Sequence, residues 1–367
     1  PQTVRGQIPD STVIRLMAEH SVPGLALAVV QGGSTHLYGW GSASADAAET
    51  VTPDTPFRIA SVAKVLVAAT VLTAAQTGAI DLHAEVEGLV GFPMVGTHDD
   101  PVTVHHLLTH TGGFDERMVG YAARDSRSMR PLGEYLSDRM PSRGWPPGEV
   151  VSYSNHGMSL AAYAVERAVG ESFAQVAEAS IFAPLGMDST RFIEPGMEIP
   201  ISAARALSCD EADCEVRAHV FSNAYPAGLA FSTARDMGRF ITAFLDDQTG
   251  GEALAEMVPE RFTHDPRIPG ISYGFFNQLH AGHRVIAHSG STGGYWALLL
   301  MVPEEETGLF FATNGGDSGF GRAFRDELLT SLLDGPPATV RPPRRTEDPA
   351  TRAGSYELTR YSHGTIE

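Results

Sequence analysis

From Ser61 to Thr77 the chain reads S-V-A-K-V-L-V-A-A-T-V-L-T-A-A-Q-T, apolar around nearly the whole circumference of a helix and closed by Gly78, which suits the position just past a helix C-terminus. A helix with no polar face must be surrounded, so the rest of the chain has to pack against it on every side. A length of 367 residues, 43% of them hydrophobic, is enough for a substantial core in two domains or in one large domain with insertions. The sequence places Lys64 in this apolar stretch, the single lysine among 26 basic residues, the other 25 being arginine. A buried amine is costly unless it is neutralised or used. Guanidinium stays protonated at ordinary pH, whereas an ammonium that is buried or set near other cations can lose its proton and become a base. Ser61 lies three positions earlier, on the same helical face. The pair reads as a nucleophile, Ser61, and its proton acceptor, Lys64.

Charge narrows the remaining classes. A formal net charge of −18 opposes electrostatic binding to nucleic acid or to anionic membrane surfaces, and Arg341, Arg344 and Arg345 are too few to form a basic patch. No apolar run approaches the roughly 20 residues that cross a bilayer, so no membrane span is expected. The chain opens at Pro1 without a signal-peptide core, which reads as a processed or trimmed product. The two cysteines, Cys209 and Cys214, bracket Asp-Glu-Ala-Asp. A short-loop disulfide would fit an extracytoplasmic protein and two free thiols a cytoplasmic one; the disulfide, and with it a periplasmic or secreted location, is the expectation. Two thiols alone make a poor zinc site, and neither a metal nor a cofactor is expected.

Along the chain, a helix over Ser11 to Glu19 precedes a β-hairpin, Gly24 to Gln31 and Ser34 to Ser42, with Gly32-Gly33 at its turn. A mainly helical middle follows, including Leu132 to Met140, His156 to Val169 and Phe173 to Ala183. Strand character returns over Gly274 to His280, Arg284 to His288, Tyr295 to Val302 and Gly308 to Asn314, before a closing helix from about Phe320 to Leu333. Strands at both ends around helices predict an α+β unit over residues 1–334: one antiparallel β-sheet flanked by helices, with a mainly helical insertion. Residues 335–350 read as a stiff Pro-rich linker. Residues 351–367 contain one alternating stretch, Gly354 to Tyr361, either an added strand on the main sheet or the opening of a further β domain.

Two further segments add chemistry. Tyr153-Ser154-Asn155 follows Pro147-Gly148 and precedes an apolar helix, so Tyr153 sits on a loop at a helix entrance, where side chains can face a cleft. His288-Ser289-Gly290-Ser291-Thr-Gly-Gly294 lies at the end of a strand, where glycine admits a close backbone approach. Acyl transfer needs a nucleophile, a proton shuttle and N–H donors for an oxyanion. Ser61, Lys64 with Tyr153, and the backbone at Ser61 and Ser291 supply one of each.

S-V-A-K, Y-S-N and H-S-G, in this order and separated by about 90 and 135 residues, resemble the three motifs of the serine β-lactamase and penicillin-binding protein superfamily. Y-S-N with H-x-G resembles the branch containing class C β-lactamases, D-alanyl-D-alanine carboxypeptidases, D-aminopeptidases and β-lactamase-like esterases. The stretches His106 to Phe114, Phe182 to Met187 and Pro226 to Ala234 are also similar to segments of that group, and the likeness covers roughly residues 10 to 334. The resemblance implies that Ser61 attacks a carbonyl, with Tyr153 as phenolate or proton shuttle and neutral Lys64 as its partner, the base being assigned differently across the superfamily. It also implies that Asn155 bonds the substrate amide or Lys64, and that His288, Ser289, Gly290 and Ser291 line the oxyanion and substrate strand.

His288 stands where class C β-lactamases carry lysine. A histidine is mostly neutral at pH 7, which weakens attraction for a carboxylate and favours uncharged esters or amides over β-lactams; that attraction is expected to return as pH falls and His288 charges. His106 and His110 have the i, i+4 spacing of a zinc pair but lack the intervening Glu, and in the resembling family this segment is structural. The expected activity is hydrolysis of a small or peptide substrate, either a peptide/amide or an ester, through an acyl-enzyme. The alternatives are a β-lactamase, or a covalent penicillin binder with negligible turnover. Specificity is expected from the loops Asp115 to Arg143 and His219 to Ala227. The substrate's identity and the oligomeric state are not encoded in any motif.

Overall fold

The computed structural model describes residues 8–96, 98–209, 214–316 and 318–333, together with the backbone of strands Gly354–Leu358 and Ser362–Ile366. Its centre is a seven-stranded sheet in which every neighbouring pair is antiparallel. The strands are β1 (Gly24–Gln31), β2 (Ser34–Gly41), β3 (Ile271–Ser272), β4 (Phe275–His280), β5 (His283–Thr292), β6 (Tyr295–Val302) and β7 (Thr307–Thr313), in the spatial order β3-β4-β5-β6-β7-β1-β2. The ends of the unit meet where β1 pairs with β7, from Leu25↔Thr313 to Gln31↔Thr307. The β1–β2 turn is Gly32-Gly33 at φ +52° and +73°, the left-handed pair that a two-residue turn between twisted strands demands.

Strand alternation gives the sheet two different faces. Leu25, Leu27, Val29, Val285, Leu298, Leu300, Leu309 and Phe311 face one way, into a core with the helices α1 (Asp10–Glu19) and α5 (Ser318–Leu332). Ala26, Ala28, Val30, Ile286, Leu299, Met301, Phe310 and Ala312 face the other way, into a larger core built with the helical part of the chain. That part contains α2 (Ala63–Gln76), α3 (Asn155–Val169) and α4 (Ala234–Leu245). In α2 every residue from Ala63 to Leu72 is buried, as a helix without a polar face requires. Layers of helix, sheet and helix make the fold α+β.

Several boundaries moved. The strand expected to stop at His288 continues to Thr292, because β6 pairs with it as far as Thr292↔Tyr295. The helix expected over Phe173 to Ala183 is α-helical at Phe173–Ala177 and widens to a π turn at Glu178–Phe182. Helix α4 was not foreseen; Thr233 caps its first turn, and Gly238 lets it close on Ala28, Thr35 and Leu37 of the sheet. Cys209 and Cys214 are disulfide-bonded across the small hairpin Leu207–Cys209 and Cys214–Val216. The strand near the C-terminus, Gly354–Leu358, pairs with Ser362–Ile366 in a two-stranded sheet of its own. The expected Pro-rich linker, residues 335–350, lies outside the described residues.

Candidate active site

Ser61 lies in a single 3₁₀ turn, Ala60–Val62, immediately ahead of α2. The turn is entered through Ala60 at φ +47°, a left-handed conformation that costs a residue with a Cβ about 1 kcal/mol. Its first bond runs from Val62 N–H to Ile59 O, so the N–H of Ser61 belongs to the opening turn, which finds no acceptor within the helix itself. Strand β5 presses on this turn. A Cβ built on Gly290 would stand 2.3 Å from Ile59 O, 2.8 Å from Ser61 N and 3.1 Å from Ala60 Cβ, so only glycine fits.

Lys64, one helical turn on, is completely buried. Its Nζ lies 3.1 Å from Ser61 Oγ, 2.7 Å from Asn155 Oδ1 and 2.7 Å from Ala227 O. Three acceptors match the three N–H donors of an ammonium. A neutral amine has two N–H donors and one lone pair; bonded to Asn155 Oδ1 and Ala227 O, it would turn the lone pair to the Ser61 hydroxyl. The geometry therefore serves both protonation states without moving a heavy atom. The ring of Tyr153 completes the cluster, its centroid 4.9 Å from Lys64 Nζ, 4.5 Å from the His110 ring and 6.0 Å from the His288 ring.

The loop bearing Tyr153 is fixed on both sides. Ser152 N–H donates to His110 O at 2.7 Å and Ser154 N–H to His110 Nδ1 at 3.2 Å, while Ser154 Oγ caps α3 by accepting from Gly157 N–H at 2.9 Å. His110 thus holds the Tyr153 loop through its main chain and its ring. His106 Nδ1 accepts from Thr103 N–H at 3.2 Å in a reciprocal cap of a short helix, and His105 Nδ1 sits 2.7 Å from Tyr273 Oη. These three imidazoles bind loops together.

His288 belongs to the inward face of β5 and is 3% exposed. Its Nδ1 lies 2.8 Å from Ser289 O, which makes Nδ1 the protonated nitrogen, and Nε2 is buried without a hydrogen-bond partner. Burial, then the Lys64 charge, push its pKa down to about 3. The expected recharging of His288 in mildly acidic solution is therefore overturned: the imidazole stays neutral throughout that range. Ser289 is exposed on the opposite face, at a hollow of about 210 Å³ lined by Phe276, Gln278, Trp296, Arg322 and Arg325. Gly290 faces the Ser61 turn as described. The side chain of Ser291, two positions from Ser289, points away from Ser61; its main chain runs along the stretch of β5 beyond the last β4 pair, Phe276↔Ala287.

Three contributors carried no motif. Glu116 accepts from both the main-chain N–H and the side-chain Nδ2 of Asn155, the latter at 3.1 Å. Arg58 is buried and donates to Gly228 O at 3.2 Å and to Val220 O, securing the segment that presents Ala227 O to Lys64. Burial lowers its pKa to about 10, so it remains a cation at neutral pH. Asn223 joins the two loops expected to govern specificity: its N–H donates to Tyr121 O at 2.8 Å, its Nδ2 to Gly120 O at 2.9 Å, and its Oδ1 accepts from Arg130 N–H at 2.8 Å. A two-residue ladder, Ala122↔Ser222 and Ala123↔Phe221, runs alongside. The only available signal was the position of Arg58 beside Ser61; Glu116 and Asn223 are single polar residues in loops. No helix among the described residues is long and apolar enough to cross a membrane.

Comparison with known proteins bears on the family and the fold. The chain is 28% identical to penicillin-binding protein 4 of Amycolatopsis lactamdurans, over 93% of this chain and 95% of that one. It is 25% identical to the D-aminopeptidase of Gluconobacter oxydans, over 95% of this chain and 65% of the relative. The crystal structure of a beta-lactamase/D-alanine carboxypeptidase from Yersinia pestis superposes with a TM-score of 0.73 over 90% of this chain and 97% of that one; at 20% identity that likeness concerns the fold alone. The Beta-lactamase family profile matches residues 9–334, a span that holds α1 through α5, and the chain belongs to that family.

Proposed function

We propose that the protein is a serine hydrolase that cleaves a peptide/amide or ester bond of a small or peptide substrate through an acyl-enzyme on Ser61. The observation that carries this reading is the contact set of Lys64: a fully buried amine 3.1 Å from a serine hydroxyl, with its two other bonds made to neutral oxygens. No carboxylate takes part in those three bonds, which suits an amine that exchanges a proton with the serine hydroxyl. Ser61 Oγ attacks the carbonyl while its proton passes to Tyr153, directly or by way of Lys64. The N–H groups of Ser61 and Ser291 stabilise the oxyanion, an interaction worth roughly 3 to 4 kcal/mol per donor. Tyr153 returns the proton to the leaving nitrogen or oxygen as the bond breaks, and water then releases the acid. A D-aminopeptidase and a penicillin-binding protein among the relatives support an amide or peptide substrate. The disulfide supports an extracytoplasmic location.

Neutral His288 favours uncharged esters and amides over anionic β-lactams, since no cation at that position draws in a carboxylate. The test is a panel of p-nitrophenyl esters, D-amino-acid amides, D-Ala-D-Ala peptides and nitrocefin, with intact-mass detection of the acyl-enzyme. Ser61→Ala should abolish both turnover and labelling by a fluorophosphonate. Retention of more than a per cent of wild-type turnover would remove Ser61 from the mechanism. If nitrocefin is the fastest substrate, the β-lactamase reading replaces this one.

A further inference from the structure

Resting on the roles just given to Ser61 and Lys64, we infer that Glu116 is a positioning residue that sets the orientation of the Asn155 amide and, through it, the working geometry of Lys64. An Asn side chain has an acceptor end and a donor end of nearly equal shape, and only its surroundings decide which way it faces. Here the decision is enforced from one side. An ionised carboxylate can only accept, and Glu116 lies 3.1 Å from Asn155 Nδ2 while its other oxygen accepts from the Asn155 main-chain N–H. The donor end is therefore tied to Glu116, and Oδ1 is left facing Lys64 Nζ at 2.7 Å. A flipped amide would put N–H groups against the ammonium, and a neutral Lys64 would turn its lone pair toward Asn155 instead of Ser61. The anchor is also well placed electrostatically. Asn155 is the first residue of α3, where the exposed N–H groups favour a negative charge.

The carboxylate has a second effect through the same geometry. Negative charge near the amine favours its ammonium form and disfavours phenolate on Tyr153, so both effects hold the acid limb of the rate profile at higher pH. The titratable and charged groups facing this set are Lys64, Tyr153, His110 and His288 on the nucleophile side, and Tyr121, Tyr135, Asp115, Arg117 and Arg139 on the Glu116 side. His288 is neutral, and burial raises both tyrosines above their ordinary value, so none of these three charges near neutrality.

The experiment measures the acylation rate constant and the steady-state constants on the best ester of the panel, from pH 5 to 10. The proteins are wild type, Glu116→Gln, Glu116→Asp, Asn155→Ala and the Glu116→Gln/Asn155→Ala double variant. Glu116→Gln keeps the shape but removes the charge and one acceptor. It should lower kcat at least tenfold with KM changed less than threefold, and move the acid limb to lower pH. Glu116→Asp should recover part of the rate. In the Asn155→Ala background the same substitution should cost less than twofold, because a residue acting through Asn155 has nothing left to orient. The inference is overturned by any of three results: an unchanged kcat and acid limb, a loss confined to KM, or an equal loss in the Asn155→Ala background. If Glu116→Gln does not fold, Glu116→Asp and its double variant with Asn155→Ala carry the same comparison. Failure of wild-type protein to acylate Ser61 would instead defeat the proposed mechanism and leave the role of Glu116 in orienting Asn155 to be read from Asn155 amide proton exchange by NMR, where loss of protection in Glu116→Gln supports it and unchanged protection overturns it.

Discussion

The surroundings of Ser61 and the loops expected to govern specificity are built differently. On the nucleophile side, Lys64 is completely buried and bonds Ser61 Oγ, Asn155 Oδ1 and Ala227 O, and Gly290 is pressed against the Ser61 turn with no room for a methyl group. On the loop side, Met118 and Val119 are 62% and 73% exposed, and the segments around them are tied mainly through Asn223 and a two-residue ladder. Close packing makes the first side intolerant of any change in shape, since interiors at crystal-like density cannot absorb an extra group. Exposed loops change shape at little cost and can change what is bound without disturbing how it reacts. On the proposed reading the packed side holds the reacting groups, and the exposed loops are the part free to adjust which substrates enter.

The largest effect should come from Lys64→Arg. If the amine is needed neutral, arginine is no substitute even though it keeps the charge, and acylation should fall by about a thousandfold or more, close to the loss in Lys64→Ala. Near-wild-type acylation by the arginine variant would show that Lys64 serves only as a cation and would dissolve the contrast at its strongest point.

Gly290→Ala should come next. The new methyl group meets main-chain atoms of Ile59 and Ser61 rather than a flexible side chain, so the turn or the strand has to move. A displacement of that kind should cost about a hundredfold in acylation, with destabilisation on the order of 1–3 kcal/mol in a denaturant titration. A variant with unaltered acylation would mean that the Ser61 turn is more compliant than its packing indicates.

Asn223→Ala tests the other side. It removes the donor to Gly120 O and the acceptor for Arg130 N–H. Loss of about 1 kcal/mol of loop order should change kcat/KM several-fold, with different factors for different esters and labelling of Ser61 preserved. Equal loss on every substrate would place Asn223 with the core and erase the distinction.

The smallest expected change is in pH dependence. In a Ser61→Ala background, affinity for an anionic β-lactam should stay within about twofold from pH 8 to pH 5, because His288 has a pKa of about 3 in the fold. A rise in affinity toward pH 5 that His288→Gln abolishes would show His288 to be more open than its burial implies. The sign for stability follows from the same values: the unfolded chain takes up a proton near pH 6.5 that folded His288 refuses until about pH 3. Its contribution therefore turns against the folded state as pH falls through that window. His156, with a pKa of about 3, and His105 and His219, with pKa values of about 4, are likewise lowered by burial and act in the same direction. Glu166, raised to about 7 by burial, acts in the opposite one.

Much of this was legible in the chain. The β1–β2 hairpin announces itself through two glycines between apolar runs, and α2 through an apolar surface that leaves it nowhere to lie but inside. Ser61 and Lys64 stand out because their spacing is local to a helix, and Tyr153 because it lies at a helix entrance, whereas Asn155 was singled out only through the family resemblance. The end of β5 was misjudged because Ser289, Gly290 and Ser291 have weak strand character and are held there by pairing with β6, a contact between separate segments. Helix α4 was passed over although its face is amphipathic.

The sequence by itself determined that Ser61 and Lys64 share a helical face and that the helix bearing them is buried. These follow from covalent connectivity and from the water-avoidance of apolar side chains, both of which act along the chain. Only the tertiary structure decided that Glu116 reaches Asn155 across 39 positions, that Asn223 ties one rim loop to the other, and that burial keeps His288 neutral down to about pH 3. Hydrogen bonds between distant loops and the desolvation of a side chain depend on what the folded chain brings beside it, and no local pattern of residues carries that information.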